Sequence, residues 1–349
     1  MTPRLNRLLT HTLDLARSAR SAWQARRRPA ADGPASAAAP PGPATPAGGM
    51  GARWLAGEHH HRSGGRRSYR LYLPAGNATA PRPLLLMLHG CTQDAEDFAT
   101  GTGMNTLAGD GLGWLVLYPE QSRQANPSRC WSWFKTPSQQ RGRGEAGWLE
   151  SLTRRVMAEQ AVDPSRVYVA GLSAGGAMAA ILGQACPDLF AAVGVHSGLP
   201  AGAAHTAMGA FMAMREGAPP QALRHLGPPV PTVVFHGDAD LTVNPVNGEQ
   251  VLQAALARWP QAVPSVHPHA ATAHQLAHVQ RLWRDPQGRP CVAHWSVQGL
   301  GHAWSGGRAP GRFTHPGGPD ASREMLRFFQ QCTPHTAPGT GTNPQDPPR

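Results

Sequence analysis

Four runs of aliphatic and β-branched residues frame the chain: Pro83-Leu-Leu-Leu-Met-Leu88, Trp114-Leu-Val-Leu-Tyr-Pro119, Val167-Tyr-Val-Ala170 and Pro231-Thr-Val-Val-Phe235. Continuous apolar runs of this length predict strands covered on both faces, as in a parallel sheet. Residues 68–74 alternate instead, which suits an edge strand. Residues 191–195 and 292–297 read as further strands, the second being the last. Between them, Trp148, Leu149, Leu152 and Val156 recur at helical spacing and stop before Asp163-Pro164, so residues 147–160 form a crossover helix. Residues 208–214 and 321–330 read as further helical segments. The alternation of strands and helices predicts an α/β class with a mostly parallel central sheet and helices on both faces.

The pattern fails at both ends. The first fifty residues and the last sixteen are rich in Pro, Ala, Gly, Arg and Thr and poor in large apolar groups, a composition that does not build a core. Within residues 1–28, Leu5, Leu8, Leu9, Thr12, Ala16, Ala19 and Trp23 fall at helical spacing, with Arg4, Arg7, Arg17 and Arg20 at other positions. This predicts a basic amphipathic arm that can lie on an anionic or apolar surface; a partly helical arm without a target fits the same pattern. Residues 29–52 then form a Pro/Ala/Gly-rich linker, 53–333 the folded domain and 334–349 a disordered tail.

A net charge of +11 raises the question of nucleic acid as a partner. Lys135 is the only lysine and the arginines are scattered outside the arm, which indicates a bias toward Arg rather than a binding patch, and no nucleic-acid-binding motif is present. The five cysteines have irregular spacing with no Cys-x-x-Cys pair and no Cys/His cluster, so no metal is expected. Polar groups interrupt residues 8–14, and Pro29 rather than an apolar run follows Arg26-Arg27-Arg28. No leader peptide and no transmembrane segment are therefore expected, and the cytoplasm is the expected location.

The candidate chemistry lies at strand ends. Gly171-Leu172-Ser173-Ala174-Gly175 follows one strand and opens a helix of small residues, the arrangement that holds a nucleophilic serine at the tip of a tight turn. His89-Gly90-Cys91-Thr92-Gln93 follows strand 83–88, where a loop supplies one backbone N–H of an oxyanion hole; Cys91 and Ala174 are the two candidate donors. His236-Gly237-Asp238-Ala239-Asp240 places two acids on one loop. Asp240 is favoured, because Asp238 directly follows the turn glycine and suits local hydrogen bonds. His302, in the Gly-flanked loop 299–307, is the candidate general base and acid, oriented by Asp240. Residues 126–134 crowd Trp131, Trp133 and Phe134 into a turn-rich segment, which reads as the rim of a binding cleft or as packing beneath a loop.

Together, His89-Gly-Cys-Thr-Gln93, Arg129-Cys-Trp-Ser-Trp-Phe134, Gly171-Leu-Ser-Ala-Gly-Gly-Ala-Met178, His236-Gly-Asp-Ala-Asp240 and Gly301-His-Ala-Trp-Ser-Gly-Gly307 resemble the esterase family that contains polyhydroxybutyrate (PHB) depolymerases with a type 1 catalytic domain. More distantly they resemble feruloyl and acetyl-xylan esterases. The resemblance runs through nearly all of residues 53–332. It implies the α/β-hydrolase fold, Ser173, Asp240 and His302 as catalytic residues, Cys91 and Ala174 as oxyanion donors, and Trp131, Trp133 and Trp304 as substrate-binding rings. It further implies a polyester or small-ester substrate and no cofactor. Cys91 could pair with Cys130 in the oxidised state. Secreted relatives carry a leader peptide and a polymer-binding module after the catalytic domain. The expectation here is an intracellular enzyme acting on amorphous storage granules, anchored through residues 1–28, with an extracellular enzyme as the alternative. A feruloyl- or acetyl-xylan-type carboxylesterase and an inactive granule-associated binding protein are the competing functions.

Overall fold

The computed structural model describes residues 51–332 except 77–79, 110–111 and 221–226. The expected arm and tail, and all but the last two residues of the linker, lie outside the described residues. Ten strands form one sheet in the order β1-β2-β4-β3-β5-β6-β7-β10-β9-β8. In chain order these are β1 (Arg53–His61), β2 (Gly65–Leu73), β3 (Arg82–Leu88), β4 (Leu115–Pro119), β5 (Val162–Leu172), β6 (Ala192–His196), β7 (Thr232–Gly237), β8 (Val263–His269), β9 (His278–Arg284) and β10 (Pro290–Val297). The six from β4 to β10 in that order run parallel. The strands added at both edges run antiparallel.

The helices are α1 (Ala95–Thr102), α2 (Met104–Gly109), α3 (Gly144–Glu159), α4 (Ala174–Ala185), α5 (Ala207–Glu216), α6 (Val246–Leu256) and α7 (Ala321–Gln330). They cover both faces of the sheet, and β3 shows the consequence directly. Leu84, Leu86 and Leu88 share a core with Trp148, Leu149 and Leu152 of α3 and Met178 of α4. Leu85 and Met87 share another with Phe98 of α1 and Met325 and Phe329 of α7. Side chains alternate across a strand, so a strand with helices on both sides must be apolar at every position. The structure has the α/β-hydrolase architecture.

One expectation about the sheet margins changes. Residues 68–73 of the alternating segment lie within β2, which is not an edge strand because β1 pairs along its whole length. β10 is the last strand of this sheet in chain order, as expected, and β9 and then β8 pair beyond it. β8 carries Pro264 and Pro268 and is largely exposed; prolines are tolerated at a sheet edge, where a missing N–H leaves no ladder bond unmade.

On the α7 side, Trp114, Tyr168 and Phe329 stack in sequence, with centroids 5.1 and 5.0 Å apart. Tyr168 and Phe329 are buried. Phe329→Ala is expected to cost about 3–5 kcal/mol through cavity formation and to lower the melting temperature by roughly 10 °C. Ester turnover measured well below the transition should stay near wild type, since the stack lies away from the strand ends that carry the site.

Candidate active site

β5 ends at Leu172 and α4 begins at Ala174, so Ser173 alone makes the turn, with φ 59° and ψ −119°. A non-glycine residue at positive φ is strained and persists only where its surroundings hold it. Here Ser173 N–H donates to the His196 carbonyl at 2.9 Å, and the Ser173 carbonyl accepts from Ala177 N–H at 2.9 Å. The sharpness of the turn also fixes its glycines: a Cβ on Gly175 would collide with the Leu88 carbonyl, and one on Gly171 with the Gly175 backbone. Ser173 is left 8% exposed. Ala174 N–H, at the first position of α4, belongs to the helix-end donors that have no intrahelical acceptor.

The acid and the imidazole meet across 62 residues of chain. His302 Nδ1 donates to Asp240 Oδ2 at 2.7 Å. The other carboxylate oxygen accepts from Thr242 N–H and Val243 N–H, both at 2.9 Å. The Asp240 side chain has no exposed surface. Burial by itself would push its pKa up, but hydrogen bonds from His236 and His302, the imidazole charge and the Val243 N–H prevail and hold the carboxyl well below the usual carboxylate range. Asp238 is exposed and accepts from Gly299 N–H at 2.7 Å. It therefore fastens the loop that carries His302 while Asp240 faces the ring.

A second buried histidine joins this loop to the serine turn. The His196 carbonyl holds Ser173 N–H, and its ring Nε2 accepts from Ser305 N–H at 2.9 Å. The proton therefore sits on Nδ1, which faces Ser197 Oγ at 3.2 Å. Burial, together with the nearby His236 and His302, holds this ring well below the ordinary imidazole pKa, so it stays a neutral acceptor. Nothing in the apolar strand Ala-Val-Gly-Val-His196 signalled this role.

The loop carrying Cys91 is braced from several directions. A disulfide joins Cys91 to Cys130, Thr92 N–H donates to the Ser128 carbonyl at 2.6 Å, and Arg129 pairs with Asp94 at 3.2 Å. Gln93 Oε1 accepts from Gly90 N–H at 3.0 Å. His89 Nδ1 donates to the Gly90 carbonyl at 2.7 Å, and Nε2 accepts from Gln121 N–H at 3.2 Å. Burial lowers the His89 pKa and so preserves this neutral tautomer. Beneath lies a buried charge pair, Arg67 with Glu145 at 3.4 Å. Glu145 also accepts from Gln121 Nε2 and from Ser132 N–H, each at 2.6 Å. Breaking such a buried pair by removing one partner costs about 3–5 kcal/mol.

The three tryptophans expected as substrate-binding rings are packed inside the protein. Trp131 and Trp304 are fully buried and Trp133 nearly so. Trp131 Nε1 donates to the His89 carbonyl at 3.1 Å. Trp304 Nε1 donates to Ser322 Oγ at 3.0 Å, and its ring stacks 4.9 Å from His196. Trp133 lies edge-on to Phe134. The polar backbone of segment 130–132 is satisfied from below by Gln121 and Glu145, so this part of the loop, with Trp131, can be buried without loss.

The structure brings the His302 imidazole and the Asp240 carboxylate together and sets the Ser173 hydroxyl on a strained turn that His196 ties to the loop of His302. No cluster of three or more His, Cys, Asp or Glu side chains suited to a metal occurs among the described residues. No helix among the described residues is long and apolar enough to cross a membrane.

Fold and relatives together place the chain in a family of esterases with the α/β-hydrolase architecture. The family described as esterase PHB depolymerase matches residues 67–264, more than half of the chain, and the protein belongs to this family. Poly(3-hydroxyalkanoate) depolymerase C of Paucimonas lemoignei is 32% identical over 243 residues, covering 66% of this chain and 57% of that protein. Poly(3-hydroxybutyrate) depolymerase of Ralstonia pickettii is 38% identical over 150 residues, 40% of this chain and 30% of that protein. The chain thus spans about half the length of one depolymerase and less than a third of the other. A solved acetyl xylan esterase from Aspergillus awamori superposes with a TM-score of 0.60 at 19% identity, covering 76% of this chain and 94% of its own, a likeness of fold.

The two aspartates of loop 238–240 separate cleanly. Asp240→Asn is expected to lower kcat on a soluble ester by about 10³–10⁴-fold, by disturbing the tautomer and removing the charge beside His302. Asp238→Asn should lower it less than about tenfold, since it weakens one loop hydrogen bond. Steady-state kinetics on both variants check this.

Proposed function

We propose that the protein is a serine esterase that hydrolyses the ester bonds of poly(3-hydroxybutyrate), related polyhydroxyalkanoates or their oligomers. The observation that carries the mechanism is the His302–Asp240 hydrogen bond, on a loop that His196 ties to the backbone of Ser173. With Nδ1–H given to Asp240, His302 Nε2 is free to take the proton of Ser173 Oγ as the oxygen attacks the ester carbonyl. The oxyanion that forms is stabilised by the N–H groups of Cys91 and Ala174. Collapse of the tetrahedral species leaves an acyl-serine, and the departing alcohol takes the proton back from His302. Water then attacks the acyl-enzyme, with the same imidazole as base.

The polyester substrate is supported by the two depolymerases that the chain resembles. With the tryptophans buried, no ring rim adds to that support. A carboxylesterase of the acetyl-xylan type is the second reading, supported by a probable acetylxylan esterase A of Aspergillus fumigatus that is 27% identical over 194 residues. Anchoring to a granule surface through residues 1–28 belongs to the polymer reading and concerns residues outside those described.

The test is 3-hydroxybutyrate release from amorphous granules by the wild type, Ser173→Ala and a variant lacking residues 1–28, with acetyl and feruloyl esters in parallel. Release by the wild type and a loss of at least about 10³-fold in Ser173→Ala are expected. Turnover of the small esters without polymer cleavage would replace the first reading by the second. Undiminished release by Ser173→Ala would overturn the mechanism, and unchanged granule binding after the deletion would remove the anchor.

A further inference from the structure

The geometry points to His236 as a positioning residue that aims the Asp240 carboxylate at His302; this rests on the roles proposed above for Ser173, Asp240 and His302. His236 lies near the end of β7 and is 2% exposed. Its Nε2 is 2.9 Å from the Val243 carbonyl and 3.4 Å from Asp240 Oδ2, the oxygen that also receives His302 Nδ1. Both neighbours are acceptors, so Nε2 carries the proton and shares it, more strongly with the carbonyl and more weakly with the carboxylate. Val243 closes the clamp, because its N–H donates to Asp240 Oδ1 while its carbonyl accepts from His236.

The other ring nitrogen shows that the imidazole is not there for packing alone. His236 Nδ1 is buried without a hydrogen-bond partner among the described residues. A Cβ on Gly248 of α6 would fall 2.5 Å from it, so the helix approaches on that side with no polar group to offer. An unsatisfied buried nitrogen is costly, and a phenylalanine would fill the same slot without one. What the phenylalanine would lack is the N–H held between Val243 and Asp240.

Removing that N–H has a definite electrostatic sign. A carboxylate with one donor fewer holds its remaining donors, His302 among them, more tightly. The protonated form of His302 is then stabilised, and the acid limb of the kcat/KM profile moves to higher pH. The other titratable and charged groups around His236 are His196 on β6, His294 on β10, and the Arg281–Glu249 pair between β9 and α6. Burial pushes His196 far down and, with Arg281 nearby, takes His294 down to about 3, so neither titrates along that limb.

The experiment compares His236→Phe, His236→Asn and His236→Gln in the full chain on a soluble ester, recording kcat and KM across pH together with melting temperature. The glutamine amide can place a donor where Nε2 stands, whereas the shorter asparagine cannot reach it. His236→Phe and His236→Asn are expected to lose about tenfold in kcat with KM nearly unchanged, and to move the acid limb upward by up to about half a pH unit. His236→Gln should recover most of kcat and the wild-type limb. If the phenylalanine variant fails to fold, the asparagine and glutamine variants decide the matter. An unmoved limb in the variants lacking the donor, or equal losses in all variants that track melting temperature alone, would overturn the proposal. Ser173→Ala and His302→Ala on the same ester keep the two levels apart, since activity surviving there would undo the roles on which His236 depends.

Discussion

A carboxylate with no exposed surface, held ionised by the donors around it, is the constraint on which the rest of the site depends. Burying a charge is expensive unless its oxygens are satisfied. Asp240 meets that condition with two backbone amides on one oxygen and His302 on the other, with His236 close behind. Because the carboxylate is so fully engaged, it has one orientation, and His302 inherits one orientation and one tautomer from it. The loops around it follow the same logic: Asp238 fastens the turn at Gly299, and His196 fastens Ser305 to the strand beside the serine.

The amides that would face a developing oxyanion are positioned by different means. Ala174 is placed by the start of α4 and by glycines that let helix and strands approach closely. Cys91 is placed by side chains: a disulfide, the His89 and Gln93 hydrogen bonds, and the Arg67–Glu145 pair beneath. A loop fixed this heavily loses little by reorganisation when charge appears, which is the condition under which such donors are most effective.

The parallel strands were legible because burial on both faces demands unbroken apolar runs, and β3, β4, β5 and β7 have them. β1, β8 and β9 were not, because strands at the sheet margins are less buried and carry polar or proline-containing sequences such as that of β8. At the candidate site, the pairing of Asp240 with His302 and the tight turn at Ser173 were readable from strand ends, where chemistry needs particular residues at particular spacings. His196 and His236 were not singled out, since their roles are set by partners distant in the chain. The burial of Trp131, Trp133 and Trp304 was not legible, because ring content tells nothing of direction. The Glu145 and Gln121 bonds that let segment 130–132 turn inward come from elements elsewhere in the chain.

The central claim is that folding makes one hydroxyl, that of Ser173, the nucleophile. The most direct measurement is mass spectrometry of the protein after brief exposure to a fluorophosphonate or an activated slow-turnover ester, in the wild type and in His302→Ala. The account predicts a single adduct per chain, on the peptide containing Ser173, forming far more slowly when the imidazole is absent. An adduct on another residue, or labelling of Ser173 that is indifferent to His302, would contradict it.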